Sequence, residues 1–203
     1  MAIEVADTGG LAALTMRALG HALGVEAMSL YNHVDDKDDV LDGIVDQVLD
    51  GIELDPPSEG WRASIRRSAV SAHELLVLHP WSCELVLQPN RQSISTARIR
   101  YIESILARLR HAGFSPRGAS RGYHAIDSHV LGFTLWELGH SMPDDAPPDF
   151  LETLLKSFDF SDYPYLAEHA EEHLRESDLP EVGEFEFGLD LVLDGLEKIR
   201  ETV

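Results

Sequence analysis

The sequence predicts an all-α protein, and two observations support this fold class. Apolar residues recur at spacings of three and four along most of the 203-residue chain, which is the period of an amphipathic helix. No segment alternates apolar and polar residues for long enough to indicate a β-strand. Prolines and glycines separate the periodic segments, as expected for helices joined by turns. We therefore expect helices packed as one domain or as two small ones.

The segment 14–44 predicts two short helices joined by a tight turn, which is a helix-turn-helix. Thr15 suits the cap of the first helix, Gly24 the turn, and Val25 a position packed beneath that turn. The second helix is predicted from Glu26 to Val34 and is sized to enter a DNA major groove. The side chains expected to face inward are those of Leu19, Leu23, Leu30 and Val34.

A third helix is predicted over 36–52, with Asp36 as its N-cap. Its apolar stripe comprises Val40, Leu41, Ile44, Val45, Val48, Leu49 and Ile52. Asp55-Pro56-Pro57-Ser58 then breaks the pattern. The sequence thus predicts a first domain over 1–52 and a second over 58–203.

The second domain is predicted as a helical bundle. Its helices are expected at about 58–79, 81–87, 93–112, 116–141, 149–157, 164–175 and 182–202. Pro80 ends the first, Gly113 suits a C-terminal cap, and Ser115-Pro116 opens the longest. The last helix carries a heptad-like seam suited to packing on a partner helix, formed by Phe185, Leu189, Val192, Leu196 and Ile199.

Composition excludes several classes of protein. Sixteen Lys and Arg against 36 Asp and Glu give a net charge of −20, which argues against broad nonspecific binding to nucleic acid or anionic membranes. No apolar run approaches the roughly 18–20 residues of a membrane span, and the first residues lack a signal-peptide pattern. The single Cys83 forms no intrachain disulfide. We expect a cytoplasmic protein without a membrane partner.

Specific residues give a resemblance. LTMR at 14–17, Leu19, LGV at 23–25, SLYNHV at 29–34 and Lys37 resemble the TetR family of bacterial transcriptional regulators. HPW at 79–81, AGFS at 112–115, YHA at 123–125, VLGF at 130–133 and FEFGLDL at 185–191 are similar to its tetracycline-repressor branch. The resemblance therefore covers essentially the whole chain.

The resemblance implies a ligand-responsive repressor. Family members are homodimers whose paired helix-turn-helix units read palindromic operator DNA and are released from it by a small-molecule effector. The dimer is expected to be a four-helix bundle built from helices 116–141 and 182–202 of each subunit.

By position, the resemblance assigns nine residues to DNA. Arg17 would reach a base edge or phosphate, Asn32 could read adenine, and Ser29 could bond a phosphate or base. Ala27 and Met28 can contact a thymine methyl group. The residues expected to hold phosphates are Thr15, Tyr31, His33 and Lys37. Local roles are the alternative: a helix cap for Thr15, packing for Tyr31 and a local hydrogen bond for His33.

The charge of this unit departs from the family pattern. Residues 1–50 contain two bases, Arg17 and Lys37, and ten carboxylates, several of which surround Lys37. The family usually carries further, often basic, residues ahead of this segment, whereas Met1 here falls inside helix one. Either the true start lies upstream, or helix one is short and the basic arm is absent. We expect weak, operator-dependent binding with a shallow salt dependence. The alternative is a sensor or binding protein of the same fold with weak or lost DNA binding.

Effector candidates lie in the second domain. They are His79, Trp81, Arg91, His124, Asp127, His129, Trp136, His140 and Met142. Plain core packing is the alternative for the aromatic residues and for Met142. His124 and Asp127 share a helix face and could orient a ligand or pair with each other. Some members of the branch bind a drug–magnesium chelate, but no histidine here can be assigned to it. We therefore predict a largely apolar effector, no cofactor and no metal site.

Enzyme motifs are weak. His169-Ala170-Glu171-Glu172-His173 matches the H-x-x-E-H pattern of a zinc peptidase, but a chance match on a solvated helix is the favoured interpretation. The chain has neither a nucleophile elbow nor a glycine-rich phosphate loop, and Cys83 is expected to serve packing. The sequence therefore predicts no enzyme activity.

Overall fold

The computed structural model confirms the all-α fold class. It describes residues 1–54, 60–87, 95–140, 147, 150–175 and 183–201, apart from the side chains of 151, 152, 154, 173–175 and 201. Every regular element in these ranges is a helix. The predicted boundary at 55–58 lies outside the described residues, as do Arg91 and Met142. That boundary stays a prediction.

The helices follow the predicted order. The first four are α1 (Ala2–Ala13), α2 (Met16–Leu23), α3 (Ala27–Leu30) and α4 (Lys37–Asp50). The others are α5 (Trp61–Leu78), α6 (Trp81–Leu87), α7 (Thr96–His111), α8 (Pro116–His140), α9 (Phe150–Lys156), α10 (Pro164–Arg175) and α11 (Glu184–Glu201). Local signals set many boundaries. Asp36 caps α4 by accepting bonds from the amides of Asp38 and Asp39, and Ser115 accepts one from Gly118 at 3.0 Å.

The chain forms two compact units. One comprises Met1–Gly139 with Phe185–Val203, and the other His140–Glu184. The core of the first unit lies between α4, α5, α7, α8 and α11. Its most deeply buried side chains are Ile65, Tyr101, Ile105, Leu109, Ile126, Leu189 and Leu193. Burying each aliphatic side chain contributes about 1.5–3 kcal/mol, so these helices form a stable framework. None of the described helices is long and apolar enough to cross a membrane.

The seam predicted on the last helix is corrected in part. Phe185, Leu189 and Leu196 are buried within the chain itself, whereas Ile199 is 54% exposed. Leu193, outside the predicted seam, is fully buried. The helix packs within its own chain along this face. Two further apolar residues of the helix, Phe187 and Leu191, are exposed on its other face.

The contact between α8 and α11 depends on Gly188. A β-carbon there would lie 2.4 Å from Cε1 of the His129 ring, whose Nε2 bonds the Phe185 carbonyl at 2.8 Å. We expect Gly188→Ala to displace His129 and to lower the free energy of unfolding by about 1–3 kcal/mol. Gly43→Ala in α4 is the control, because its β-carbon meets nothing within 4 Å and should stabilise the helix slightly. Equal melting temperatures for the two variants in a thermal denaturation would contradict this packing.

Candidate nucleic-acid interface and effector domain

The first helix of the helix-turn-helix begins and ends at the predicted residues. Thr15 is the N-cap of α2, and its hydroxyl accepts a bond from the amide of Ala18 at 3.1 Å. Gly24 ends the helix with a φ of 70°, in the left-handed region that glycine adopts without steric cost. The cap of Thr15 and the turn at Gly24 are thus confirmed.

The corner between α2 and α3 is tight. The amide of Val25 donates to the Gly20 carbonyl at 2.9 Å. A β-carbon on Gly20 would lie 2.9 Å from the Val25 carbonyl oxygen and 3.1 Å from the Cα of Ala27. Gly20 therefore allows the two backbones to meet, and this contact fixes the direction in which α3 leaves the corner.

The second helix is shorter than predicted. Regular α-helix covers only Ala27–Leu30 instead of the expected 26–34. The chain then tightens, because Asn32 and His33 donate to carbonyls three residues back, at 3.3 and 2.8 Å. The bond from Val34 to the Leu30 carbonyl keeps the last turn in place.

Two burial predictions for this corner are wrong: that Leu23 faces inward and that Val25 packs beneath the turn. Leu23 is 46% and Val25 is 45% exposed, because the single turn of α3 covers little of the end of α2. Leu19 is buried, whereas Leu30 and Val34 are half-buried. The corner consequently exposes more apolar surface than its helical pattern predicts.

The residues predicted to contact DNA are mostly exposed around this corner. Met28 is 75% and Tyr31 is 46% exposed. Thr15, Arg17, Asn32 and His33 are also exposed, while Ala27 and Ser29 are half-buried. The Ser29 hydroxyl donates to the Glu26 carbonyl at 2.7 Å, which leaves its oxygen as an acceptor. Their roles toward DNA stay predictions.

Lys37 has a structural contact. Its ammonium group donates to the Leu11 carbonyl at 3.1 Å and is half-buried, so it ties the start of α4 to the end of α1. Arg17, the other base of residues 1–50, has an exposed side chain.

Many acidic residues of this unit serve the fold. The Asp36 side chain caps α4, and the Asp39 side chain accepts from the Asp35 amide at 2.8 Å. Asp7, Asp46 and Asp50 bond groups of later helices. Residues 15–34, the α2–α3 segment, contain only one carboxylate, Glu26, and one guanidinium. The excess of negative charge therefore lies mainly outside the corner that would face a duplex.

The carboxylate of Asp46 links α4 to α7. The Asp46 carboxylate accepts from the Ser95 hydroxyl at 2.7 Å and from the Ala97 amide at 2.8 Å, so it caps α7. The backbone amide of Ala97 and the Ser95 hydroxyl lower the pKa of Asp46 below its ordinary value of 3.8. Beside it, Arg100 pairs with Asp50.

The lowered pKa gives a testable pH dependence. We expect Asp46→Ala to cost about 0.5–2 kcal/mol of stability at neutral pH, through loss of the cap. The carboxylate stabilises the fold above its unfolded pKa, and this contribution is lost as the pH falls through the lower folded value. The difference between wild type and variant in urea denaturation should therefore be constant at pH 5–8 and shrink below the ordinary value of 3.8. The exposed Asp162→Ala is the control, and a pH-independent difference would contradict the cap.

A second link joins α1 to α6. His79 Nδ1 and Trp81 Nε1 lie 2.8 and 2.6 Å from Oδ1 of Asp7. The structure therefore places these two predicted effector residues at the contact between α1 and α6. Their role in effector binding stays a prediction.

The remaining effector candidates lie along α8. Asp127 bonds Arg98 of α7 at 2.5 Å and Tyr123 at 3.1 Å, rather than pairing with His124. His124 is exposed, as are Trp136 and His140. The structure places Trp81, Asp127 and His129 in three separate contacts, with Asp7, Arg98 and Phe185, and so does not gather these candidates at one site. Sequence reasoning missed Arg98, because its pairing with Asp127 crosses between helices and leaves no local spacing signal.

A cluster between α5, α8 and α11 was also missed. His73 Nδ1 lies 2.9 Å from the Thr134 hydroxyl, and its ring stacks on Phe185 at 3.9 Å. Burial lowers the pKa of His73, although Glu137 opposes this effect. The cluster ties α5 to the two helices predicted to dimerise.

A cavity of about 450 Å³ lies beside α7. Its walls include Leu54, Ile99, Glu103 and Arg108, and none of the effector candidates that the structure describes lines it. Arg108 is buried and donates to the Ser64 hydroxyl at 2.7 Å.

A helix-turn-helix corner followed by a helical bundle defines the architecture of a DNA-binding regulator. Residues 55–200 match the model of the family described as "Tetracyclin repressor-like, C-terminal domain". The chain therefore belongs to the tetracycline-repressor (TetR) family, as its sequence motifs indicated.

Individual proteins agree with this assignment. The HTH-type transcriptional repressor Rv1353c of Mycobacterium tuberculosis is 30% identical over 98% of this chain and 78% of its own length. A possible TetR family transcriptional regulator from Streptomyces coelicolor A3(2) has a TM-score of 0.78 and 27% identity, covering 98% of this chain and 96% of that one. The Streptomyces coelicolor protein ActR in complex with (S)-DNPA has a TM-score of 0.71 and 26% identity, covering 97% and 93%.

Proposed function

We propose that this protein is a ligand-responsive transcriptional repressor that binds a palindromic operator as a homodimer and is released by a small molecule. The observation that carries this proposal is the α2–α3 corner, which exposes Arg17, Met28 and Tyr31 around one tight turn. The similar protein Rv1353c is named as a transcriptional repressor, which supports the same function. Such a regulator acts in the cytoplasm.

The DNA-binding unit would comprise residues 1–52. We propose that α3 enters the major groove with Ala27 and Met28 against thymine methyl groups and Asn32 near an adenine. Arg17 supplies the main cation from α2. Thr15, Tyr31 and His33 fix the position of the unit on the phosphates, and Lys37 acts mainly by holding α1 against α4.

Dimerisation would use the outer faces of α8 and α11. Leu135 and Trp136 of α8 are 43% and 48% exposed, and Phe187 and Leu191 of α11 are each 59% exposed. Exposed apolar residues on two long neighbouring helices indicate a protein–protein contact. Two copies would bury them in a four-helix bundle, which would set the separation of the two α2–α3 corners.

The effector would bind within residues 58–203. The complex of ActR with (S)-DNPA supports a ligand site in this fold. The links from Asp46 to α7 and from Asp7 to α6 could transmit a change in these helices to the α2–α3 corner. The effector must bind one arrangement of the dimer more tightly than the other. It releases DNA only if the arrangement it prefers is the one that does not bind DNA.

We further propose that the chain acts by binding rather than by catalysis. On α10, His169 and Glu172 of the H-x-x-E-H pattern are exposed. Within the described part of the chain, no group of three or more His, Cys, Asp or Glu residues could hold a metal ion.

Salt dependence tests the proposed DNA contact. With Arg17 and Lys37 as the only bases in residues 1–50, a dimer neutralises few phosphates. We expect the slope of log affinity against log salt to be no steeper than about −4. The operator would first be selected from a random duplex pool, and its binding measured by fluorescence anisotropy. Tight binding to an arbitrary duplex at physiological salt would contradict this account of the interface.

A further inference from the structure

A polar cluster bridges α7 and α8 inside the first compact unit. It consists of Arg98 and Tyr101 of α7 and Tyr123 and Asp127 of α8, and we call it the α7–α8 polar cluster. Arg98 Nη2 and the Tyr123 hydroxyl both donate to Oδ2 of Asp127, at 2.5 and 3.1 Å. The Arg98 guanidinium also lies over the Tyr101 ring, 5.4 Å from its centre.

Two buried atoms of this cluster have no hydrogen-bond partner among the described residues. They are the Tyr101 hydroxyl and Oδ1 of Asp127. Tyr101 is only 1% exposed, and the side chain of Asp127 is 14% exposed. Buried polar groups normally have a partner, because losing water without replacing its hydrogen bond is costly. The Tyr101 hydroxyl is thus free to donate or accept a hydrogen bond, and Oδ1 of Asp127 is free to accept one.

The charges of the cluster limit what can bind there. Arg98 and Asp127 neutralise each other, so the cluster offers no net charge that would offset the cost of burying an added ion. Burial, together with the Asp127 carboxylate, raises the pKa of Tyr101, and burial raises that of Tyr123 to about 12. Both hydroxyls therefore keep their protons. The Tyr101 hydroxyl can donate, whereas Oδ1 of Asp127 only accepts.

We propose that the α7–α8 polar cluster binds the hydroxyl group of a neutral, mostly apolar effector. The ligand hydroxyl donates to Oδ1 of Asp127 and accepts from the Tyr101 hydroxyl. A phenol suits this pair, because its O–H is a stronger donor than that of an aliphatic alcohol. Its ring suits the apolar, buried residues of these helices, such as Ile105, one turn after Tyr101, and Ile126, which precedes Asp127. The proposal rests on the proposed function, since it names the chemical class of the effector.

The test compares a phenol with an analogue that lacks the hydroxyl. The probe is 2-naphthol, the analogue is 2-methylnaphthalene, and binding is measured by isothermal titration calorimetry on the full chain. We expect saturable binding of 2-naphthol, at least about tenfold tighter than binding of the analogue. Tyr101→Phe should abolish this preference. Because it removes a hydroxyl without a partner, the variant should fold as stably as wild type. Tyr165→Phe, at a residue that is 82% exposed, is the control and should keep the preference.

Three outcomes would overturn the proposal. They are no saturable binding of 2-naphthol at millimolar concentration, equal binding of both compounds, and an unchanged preference in Tyr101→Phe. Operator binding is measured separately without probe and should be the same for wild type and Tyr101→Phe. Failure of wild type to bind any operator would refute the proposed repressor, whereas the calorimetry decides the ligand class by itself.

Discussion

Replacing Arg17 by alanine is expected to weaken operator binding by about 10- to 100-fold. Arg17 is exposed on α2 beside the α2–α3 corner, and a bidentate contact of arginine with a guanine or phosphate is worth about 1–3 kcal/mol. The loss should be large because residues 15–34 contain no other Lys or Arg. Anisotropy titrations with the selected operator measure the effect.

The matched control is Arg117→Ala, which removes an exposed arginine at the start of α8. Its operator affinity should equal that of wild type. Both variants should keep the oligomeric state and melting temperature of wild type, so that a lost contact is distinguished from a lost fold. An Arg17→Ala variant with unchanged affinity would show that α2 does not approach the duplex as proposed.

The second large effect is expected from Gly20→Ala. The added methyl group would lie 2.9 Å from the Val25 carbonyl oxygen, which belongs to backbone and cannot move without separating α2 from α3. We expect a destabilisation of about 1–3 kcal/mol. Operator affinity should fall at least about tenfold, because α3 would leave the corner in a different direction. Urea denaturation and anisotropy give the two quantities.

Gly43→Ala is again the control, since its added methyl group contacts nothing within 4 Å. A glycine inside a helix costs about 0.5–1 kcal/mol relative to alanine, so this variant should be slightly more stable and bind the operator normally. If Gly20→Ala and Gly43→Ala had equal stability and equal operator affinity, the tight corner would not determine DNA binding.

Local signals made much of the fold predictable. The caps by Thr15, Asp36 and Ser115 depend on residues two or three positions away, and the structure contains all three. The helix order and the buried stripe of α4 follow from apolar periodicity, which depends only on spacing within each segment.

The structure differs from the sequence predictions where burial and pairing depend on contacts between different helices. The burial of Leu23 depends on how far α3 extends, and α3 ends early in a tight turn. Asp127 pairs with Arg98 across 29 residues, which no local pattern encodes. The bond from Trp81 to Asp7, which joins α6 to α1, likewise leaves no local sequence signal, and the role of Trp81 toward an effector stays a prediction.

Native mass spectrometry of the protein with its selected operator tests the central claim most directly. The account predicts two chains per duplex on a palindromic sequence, and a much smaller fraction of bound duplex with Arg17→Ala at the same concentration. It also predicts that the protein is a dimer when no DNA is present. A single chain per duplex would contradict the proposed repressor. So would a stable dimer for which no operator can be selected, and this result would favour a sensor of the same fold that does not bind DNA.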